Sequence, residues 1–156
     1  MKTAIVTGAS GNLGQAVVKK FIDEGYNVVG TVIPNDPVPV NFPGYRFEKV
    51  VVDLMNEDDS RKFVESVTVK YGSIDVAVLT VGGFAMGKIA ETKTSDIYKQ
   101  YKLNFETAYN VARPVFMQMM QQNSGRIFII GSRPGLDAKS GKGRVAYGLG
   151  TSPIFR

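Results

Sequence analysis

The chain has 156 residues, with 19 Lys and Arg against 14 Asp and Glu, a formal net charge of +5, and neither Cys nor His. This length suits one domain, and a hydrophobic share of 44% argues against a disordered or fibrous protein. The missing Cys and His exclude disulfides, thiol nucleophiles and thiolate metal sites, and we predict no metal site. Any catalysis must use Tyr, Lys, Ser or carboxylate side chains.

Charge and hydropathy also limit the partners. No apolar run approaches the roughly 18 residues of a membrane span, and residues 1–3 lead directly into a strand, without a signal peptide. We therefore expect a cytoplasmic protein with no membrane contact. The basic residues form no basic helix and no aromatic RNA-binding motif is present, so we expect no nucleic acid partner. The densest basic cluster consists of Arg133, Lys139, Lys142 and Arg144. It either forms a solvated loop or attracts an anionic cofactor or substrate.

The first motif is a glycine-rich turn at residues 7–14, TGASGNLG, directly after an apolar strand and before a segment of helical periodicity. A strand that turns into a helix in this way presents backbone N–H groups and the positive end of a helix dipole. Gly8, Gly11 and Gly14 allow a tight turn, close approach of a pyrophosphate and close packing of helix on strand. The pattern predicts a dinucleotide site, although three glycines alone also fit a plain loop.

Strands and helices alternate along the rest of the chain. We predict strands at 26–33, 47–52, 74–80 and 126–130, with an irregular proline-rich connection to Gly44 after the first of these. We predict helices from Leu13 to Gly25, at 56–71 and at 95–122, and Pro114 could kink the last one. The remainder is glycine-rich, with a short helix from Val145. This alternation predicts a three-layer α/β (αβα) Rossmann-type parallel sheet of strand order 3-2-1-4-5. The ligand crevice should lie at the carboxyl ends of strands 1 and 4.

Taken in this order, the motifs resemble those of the short-chain dehydrogenase/reductase family over nearly the whole chain. The glycine turn resembles the cofactor loop of that family, and Asp53-Leu54 resembles the pair that contacts adenine. Residues 75–82 stand where the family has an apolar strand, and Asn104, Ser132 and Tyr147 follow in the order of its Asn, Ser and Tyr. The resemblance implies a single dinucleotide-binding domain and an NAD(P)-dependent oxidoreductase acting on a small carbonyl or alcohol substrate.

The resemblance also implies roles for individual residues. Tyr147 would be the acid/base, Ser132 would bond the substrate oxygen, and Asn104 would hold a water that relays protons. The implied cofactor contacts are Thr7, Gly8, Ser10, Gly11, Asn12, Leu13, Gly14, Asp53, Leu54, Thr80 and Gly82. Structural roles compete with these: a buried aromatic, a turn serine, a helix amide bonded to a neighbouring strand and, for Asp53, a helix cap, with Asn56 better placed as the cap.

Two departures from the family pattern bear on activity. Thr151 stands where the family has a Lys that lowers the pKa of the catalytic phenol, so we expect much slower proton transfer. The chain also stops at Arg156, before the C-terminal strands of the family, so we expect an incomplete domain with strand 5 as an exposed edge. Gly148, Gly150 and Pro153 further predict poor helix formation near the end. The alternative function is a non-catalytic dinucleotide-binding domain or an inactive fragment.

Cofactor choice and assembly stay open. Residues 32–34 offer neither an acid for NAD nor an Arg for NADP, and Asp36 could reach back as an acid. The excess of basic residues slightly favours NADP. The long helix near 95–122 could form a homo-oligomer, because Met117, Met119 and Met120 provide apolar outer positions, although such Met clusters also occur in cores.

Overall fold

A computed structural model describes residues 1–44 and 46–155 of the chain; Tyr45 and Arg156, at which the sequence ends, lie outside the described residues. All paired strands are parallel, and their order is β3-β2-β1-β4-β5, which confirms the predicted topology. The strands are β1 (Thr3–Thr7), β2 (Asn27–Val32), β3 (Phe47–Val51), β4 (Val76–Leu79) and β5 (Arg126–Ile129). The central strand β1 is buried at every position, as expected for a parallel strand covered on both faces.

The helices cover both faces of this sheet. They are α1 (Asn12–Asp23), α2 (Glu57–Tyr71), α3 (Thr94–Tyr101), α4 (Thr107–Gln121), α5 (Arg133–Leu136) and α6 (Val145–Thr151). On one face, Val18 of α1 packs with Val6 and Val28 of the sheet. On the other, Phe63 of α2 and Val111 of α4 belong to the cluster around Ile5, Val29 and Leu79. The predicted three-layer αβα arrangement is therefore confirmed.

The two helices that begin after the first and third strands start differently. The Asn56 side chain accepts hydrogen bonds from the N–H groups of Asp58 and Asp59 at 2.9 and 3.1 Å, so it caps α2 as the sequence predicts. Asp53 instead accepts a hydrogen bond from the Met55 N–H at 3.0 Å, in the turn before the helix. Within the described residues, α1 has no side-chain cap and no acidic residue in its first turn. The first turn of α1 therefore keeps its N–H groups free of side-chain acceptors.

The predicted helix at 95–122 is not continuous. It starts as α3, widens into a π-helical turn at Lys102–Glu106, and continues as α4, which runs through Pro114. In the wide turn the Thr107 N–H donates to the Lys102 carbonyl, and the Thr107 hydroxyl donates to the Leu103 carbonyl at 2.8 Å. One inserted residue leaves the spacing of apolar positions almost unchanged, so periodicity does not reveal such a turn.

The region after β5 is more ordered than the sequence predicts. The short helix α5 was not expected, and α6 forms despite Gly148 and Gly150. A Cβ at Gly150 would lie 2.6 Å from the Gln100 carbonyl carbon of α3, and one at Gly148 would lie 3.0 Å from the Pro134 carbonyl oxygen of α5. The short helix predicted from Val145 is present, and the glycines that weaken it as a helix allow α6 to approach its neighbours closely. A 3-10 turn, Ser152–Phe155, follows α6.

Apolar surface is exposed beside β5. In the described part of the chain this strand pairs with β4 alone, and Phe128 and Ile129 are exposed. Of the three methionines placed outside on α4, Met117 and Met120 are exposed but Met119 is buried, which corrects that expectation. Met119 packs where Gly125 leaves room for it. None of the described helices combines the length and apolar character that a bilayer crossing requires.

Candidate dinucleotide and substrate site

The ends of β1 and β4 are tied together by two threonines. The Thr80 N–H donates to the Thr7 hydroxyl at 3.0 Å, and the Thr80 hydroxyl donates to the Thr7 carbonyl at 2.6 Å. Both side chains are thus occupied by protein groups, and Thr7 is almost fully buried. Their contacts fix the point where the strand order reverses, which is where open α/β sheets bind ligands.

The three glycines of the turn differ in whether the backbone and its packing require a glycine at their position. Gly8 has a φ of +66°, a backbone conformation that side chains disfavour. A Cβ at Gly14 would lie 2.0 Å from the Gly8 carbonyl oxygen, so no other residue fits there. Gly11 has an ordinary φ of −70°, and its nearest neighbour would lie 3.4 Å from an added Cβ. Protein packing therefore demands Gly8 and Gly14 but does not demand Gly11.

The start of α1 is open to solvent at the same place. Asn12 and Leu13 are exposed in its first turn, and their N–H groups have no acceptor earlier in the helix. Together with the uncapped start and the missing side chain of Gly11, this surface can accept a phosphate on backbone N–H groups. The residues present therefore fit the pyrophosphate of a dinucleotide.

A cleft beside the glycine turn brings the predicted adenosine contacts together. Gly8 and Ser10 form one side, and the segment after β3 forms the other, where Asp53 and Leu54 follow Val52. Leu54 is buried and its carbonyl accepts a hydrogen bond from Asn110 at 3.0 Å, so the segment is held in place. Apolar side chains of the cleft can cover a base, while Asp53 keeps one carboxylate oxygen beyond its bond to Met55.

Asp36 reaches back to the glycine turn, a placement that the sequence leaves open. Its carboxylate accepts a hydrogen bond from the Ser10 hydroxyl at 2.6 Å and from the Val38 N–H at 3.0 Å. The Ser10 bond, then the Val38 bond, lower the pKa of Asp36, with attraction from Lys49 adding to them. The Asp36 carboxylate therefore stays ionised through the pH range in which carboxyl groups usually titrate. Its two hydrogen bonds weaken as the pH falls through the lowered pKa. Negative charge is therefore present beside Ser10 at neutral pH.

A second cavity, of about 260 Å³, holds all three predicted catalytic side chains. Asn104, Ser132 and Tyr147 line it, together with Thr80, Gly82 and other residues that follow β4 and β5. Val81 lines both this cavity and the adenosine cleft, so the two adjoin at the carboxyl end of β4. An elongated ligand can thus extend from the glycine turn into the cavity.

Asn104 is occupied by protein groups. Its amide nitrogen donates to the Gln100 carbonyl at 2.9 Å and to the Gln100 side-chain oxygen at 3.0 Å, and its oxygen accepts from the Gly83 N–H at 2.9 Å. Both amide protons are used, so the side chain acts as a clamp between the π-helical turn and the loop after β4. Asn104 thus has a structural role, but its partners are the preceding helix and a loop, and not the neighbouring strand that the structural alternative names.

Ser132 and Tyr147 are held by contacts that the sequence does not reveal. The Ser132 hydroxyl donates to the Thr151 hydroxyl at 2.8 Å, and Thr151 donates in turn to the Tyr147 carbonyl at 2.8 Å. The Tyr147 ring packs edge-on against Phe84, with ring centroids 5.0 Å apart, and Arg144 lies over the Phe84 ring at 5.8 Å. Phe84 was not singled out because it follows Gly82-Gly83 in a loop with no periodic pattern.

Comparison with known proteins agrees with this architecture. The family described as short chain dehydrogenase matches residues 2–149. An acetoacetyl-CoA reductase from Acinetobacter sp. is 27% identical over 90% of this chain and 60% of its own length. The 3-oxoacyl-[acyl-carrier-protein] reductase FabG of Buchnera aphidicola is 29% identical over 99% of this chain and 63% of its own length.

A solved structure, ElxO with NADP bound, superposes with a TM-score of 0.89 at 24% identity, and covers 98% of this chain and 63% of that one. The chain thus spans about 60% of the length of these curated relatives. The match of the family to residues 2–149, on a parallel sheet of the expected order, decides the assignment. The chain belongs to the short-chain dehydrogenase family.

Proposed function

We propose that this chain binds NAD(P) along the cleft and cavity, and acts as an oxidoreductase that moves a hydride between the nicotinamide and a carbonyl or hydroxyl carbon. The observation that carries the proposal is the open start of α1 beside Gly11. Among the residues that the structure describes, no contact requires a glycine at position 11, whereas a pyrophosphate lying against the backbone does. The bound dinucleotide supplies the hydride; the chain supplies positioning and the proton.

In this proposal Tyr147 exchanges the proton with the substrate oxygen. Tyr147 lines the same cavity as Ser132, and the proposal requires a substrate oxygen there that contacts both hydroxyls. Asn104 supports the site by holding the loop after β4 rather than by presenting a free amide. Thr151 carries no charge that could stabilise a phenolate, so turnover should be slow.

This neutral residue also favours a second function, a dinucleotide-binding domain without catalysis. Thr151 is buried, and its hydroxyl is hydrogen-bonded to the Ser132 hydroxyl and to the Tyr147 carbonyl. This position therefore supplies no positive charge next to Tyr147. A binder would retain the glycine turn and the adenosine cleft while lacking hydride transfer. The two functions therefore differ in turnover and agree in cofactor binding.

Two measurements separate these functions. Titration with NADH and NADPH, followed by nicotinamide fluorescence, reports binding. Oxidation of the reduced cofactor by ketones and reduction of the oxidised cofactor by the corresponding alcohols are both followed and report hydride transfer. The proposal expects binding and slow turnover. Binding without any turnover supports the second function, and no binding of either dinucleotide contradicts both.

Substrates for this assay follow from the relatives. Two of them are named for acetoacetyl-CoA and for 3-oxoacyl groups on acyl carrier protein, so 3-oxoacyl thioesters are the class to test first. The exposed basic side chains Arg133, Lys139 and Lys142, which lie between Ser132 and Tyr147 in the sequence, would suit an anionic carrier, while a solvated loop is their simpler role. The predicted cytoplasmic location stays a prediction.

For the dinucleotide itself, we favour NAD over NADP. The basic excess of the chain acts at long range and is screened by salt, whereas Asp36 places its charge directly beside Ser10. A ribose phosphate at this point would meet that carboxylate, while ribose hydroxyls could donate to it. This local argument opposes the slight preference for NADP that net charge predicts.

A further inference from the structure

The hydrogen bond between Ser132 and Thr151 has a defined direction. Thr151 has one hydroxyl proton, and its neighbours in α6, the Tyr147 carbonyl at 2.8 Å and the Gly148 carbonyl at 3.4 Å, can only accept. The Thr151 proton is therefore used within the helix. At the 2.8 Å contact with Ser132, the proton must come from Ser132.

The surroundings of Ser132 leave its oxygen lone pairs available. Ser132 precedes the first residue of α5, where a serine oxygen commonly accepts an N–H of the first turn, but within residues 1–44 and 46–155 it makes no such bond. The same side chain lines the cavity that contains Tyr147. Ser132 thus presents an acceptor to the cavity, because its only proton points to Thr151.

We propose that Thr151 is a positioning residue that makes Ser132 a hydrogen-bond acceptor, so that the cavity selects an alcohol over the corresponding ketone. A hydroxyl group can donate to Ser132 and accept from Tyr147 at the same time. A ketone oxygen can only accept, and it would face the Ser132 lone pairs without a proton between them. The proposal rests on the proposed role of this cavity as the substrate site and assigns its ligand class.

Close packing around Thr151 keeps this arrangement in place. The residue is 3% exposed, and a Cβ at Gly135 would lie 2.6 Å from the Thr151 hydroxyl oxygen. Gly135 of α5 thus allows the end of α6 to come close enough for the Ser132 contact. The Thr151 hydroxyl has little room to turn toward another acceptor.

The test compares cyclohexanol with cyclohexanone as probes on the cofactor-free chain, by following the backbone amide shifts of Gly131 and Ser132 in a nitrogen-labelled sample. The wild type should bind the alcohol about fivefold or more tightly than the ketone, since an unpaired acceptor is left facing the ketone. Thr151→Val removes the acceptor of the Ser132 proton, so the preference should fall toward unity. Thr151→Ser keeps the hydroxyl and should keep the preference.

Ser132→Ala provides an independent variant if Thr151→Val fails to fold, and it should also abolish the preference. Equal or tighter binding of the ketone by the wild type would overturn the proposal. So would an unchanged preference in Thr151→Val or Ser132→Ala, or the absence of any shift with cyclohexanol up to its solubility limit. Since no dinucleotide is present, failure of NADH to bind in a separate titration would contradict the proposed function without touching this result.

Discussion

Single residues of the site divide into those that sequence reasoning reaches and those that need coordinates. Glycine spacing identifies the turn, but only the packing distances separate Gly11 from Gly8 and Gly14. Thr151 is recognisable as a departure from the family, whereas its bond to Ser132 depends on how α6 lies against α5. The roles of the cofactor and catalytic side chains stay predictions, since the structure places them without testing them.

Asp36 is the residue whose placement changes the expected cofactor. Because prolines surround it, no periodic pattern fixes where its side chain points, and only the structure brings it to Ser10. Asp36→Asn should strengthen NADPH binding by roughly tenfold relative to NADH, since it removes a negative charge facing the additional phosphate. Titration of both dinucleotides at one ionic strength measures the ratio.

Asp23→Asn is the matched control for that change. It alters the net charge equally, but Asp23 lies at the far end of α1, where it pairs with Lys19. The NADPH to NADH ratio should stay at the wild-type value in this variant. A similar gain in both variants would show that net charge, and not the position of Asp36, sets the preference.

Elements of secondary structure were predicted well where burial is regular. Buried strands such as β1 and β4 carry nearly continuous apolar runs, and the alternation with helices leaves few parallel topologies, so the strand order followed. The π-helical turn at Lys102–Glu106 was missed because a backbone hydrogen bond from Thr107 to Lys102 defines it, and the apolar periodicity does not reveal that bond. Helix α6 is short, and tertiary packing requires the glycines in it that helix propensity disfavours.

Gly150→Ala tests that interpretation of α6. The added Cβ would lie 2.6 Å from the backbone of Gln100, which cannot move aside as a flexible side chain can. We expect a loss of about 1–3 kcal/mol in the free energy of unfolding, measured by urea denaturation. Helix propensity alone predicts the opposite sign, since alanine is the better helix former.

Leu149→Ala serves as the control in the same helix. Leu149 is exposed, so its truncation leaves the contact between α6 and α3 intact and should change stability by less than about 1 kcal/mol. If Gly150→Ala proved as stable as the wild type, the close approach of α6 to α3 would be wrong.

At the scale of the whole molecule, apolar surface continues from α4 to the open edge of the sheet. Phe116 and Met120 of α4 line one groove with Ile127 of β5, and Ile129, which lies on the same face of that strand, is exposed. Apolar patches of this kind on a protein surface commonly mark contacts with other molecules. The surface supports the proposed homo-oligomer through the long helix, with the correction that Met119 belongs to the core.

Phe116→Asp should therefore weaken self-association. The wild type should elute with a light-scattering mass above the 17.0 kDa of one chain, and the variant should approach that mass because a carboxylate cannot be buried in the apolar groove. Ile89→Asp places the same charge at an exposed loop position and should leave the mass unchanged. A wild-type mass of one chain at all concentrations would contradict the proposed oligomer.

The central claim, a dinucleotide held at the open start of α1, is tested most directly by calorimetric titration of Gly11→Ala with NADH. Protein packing leaves room for this methyl group, so the variant should fold, yet the methyl would stand where the pyrophosphate approaches the backbone. We predict roughly tenfold weaker binding or more, with Gly141→Ala at the wild-type affinity. Equal affinity of Gly11→Ala and the wild type would contradict the account.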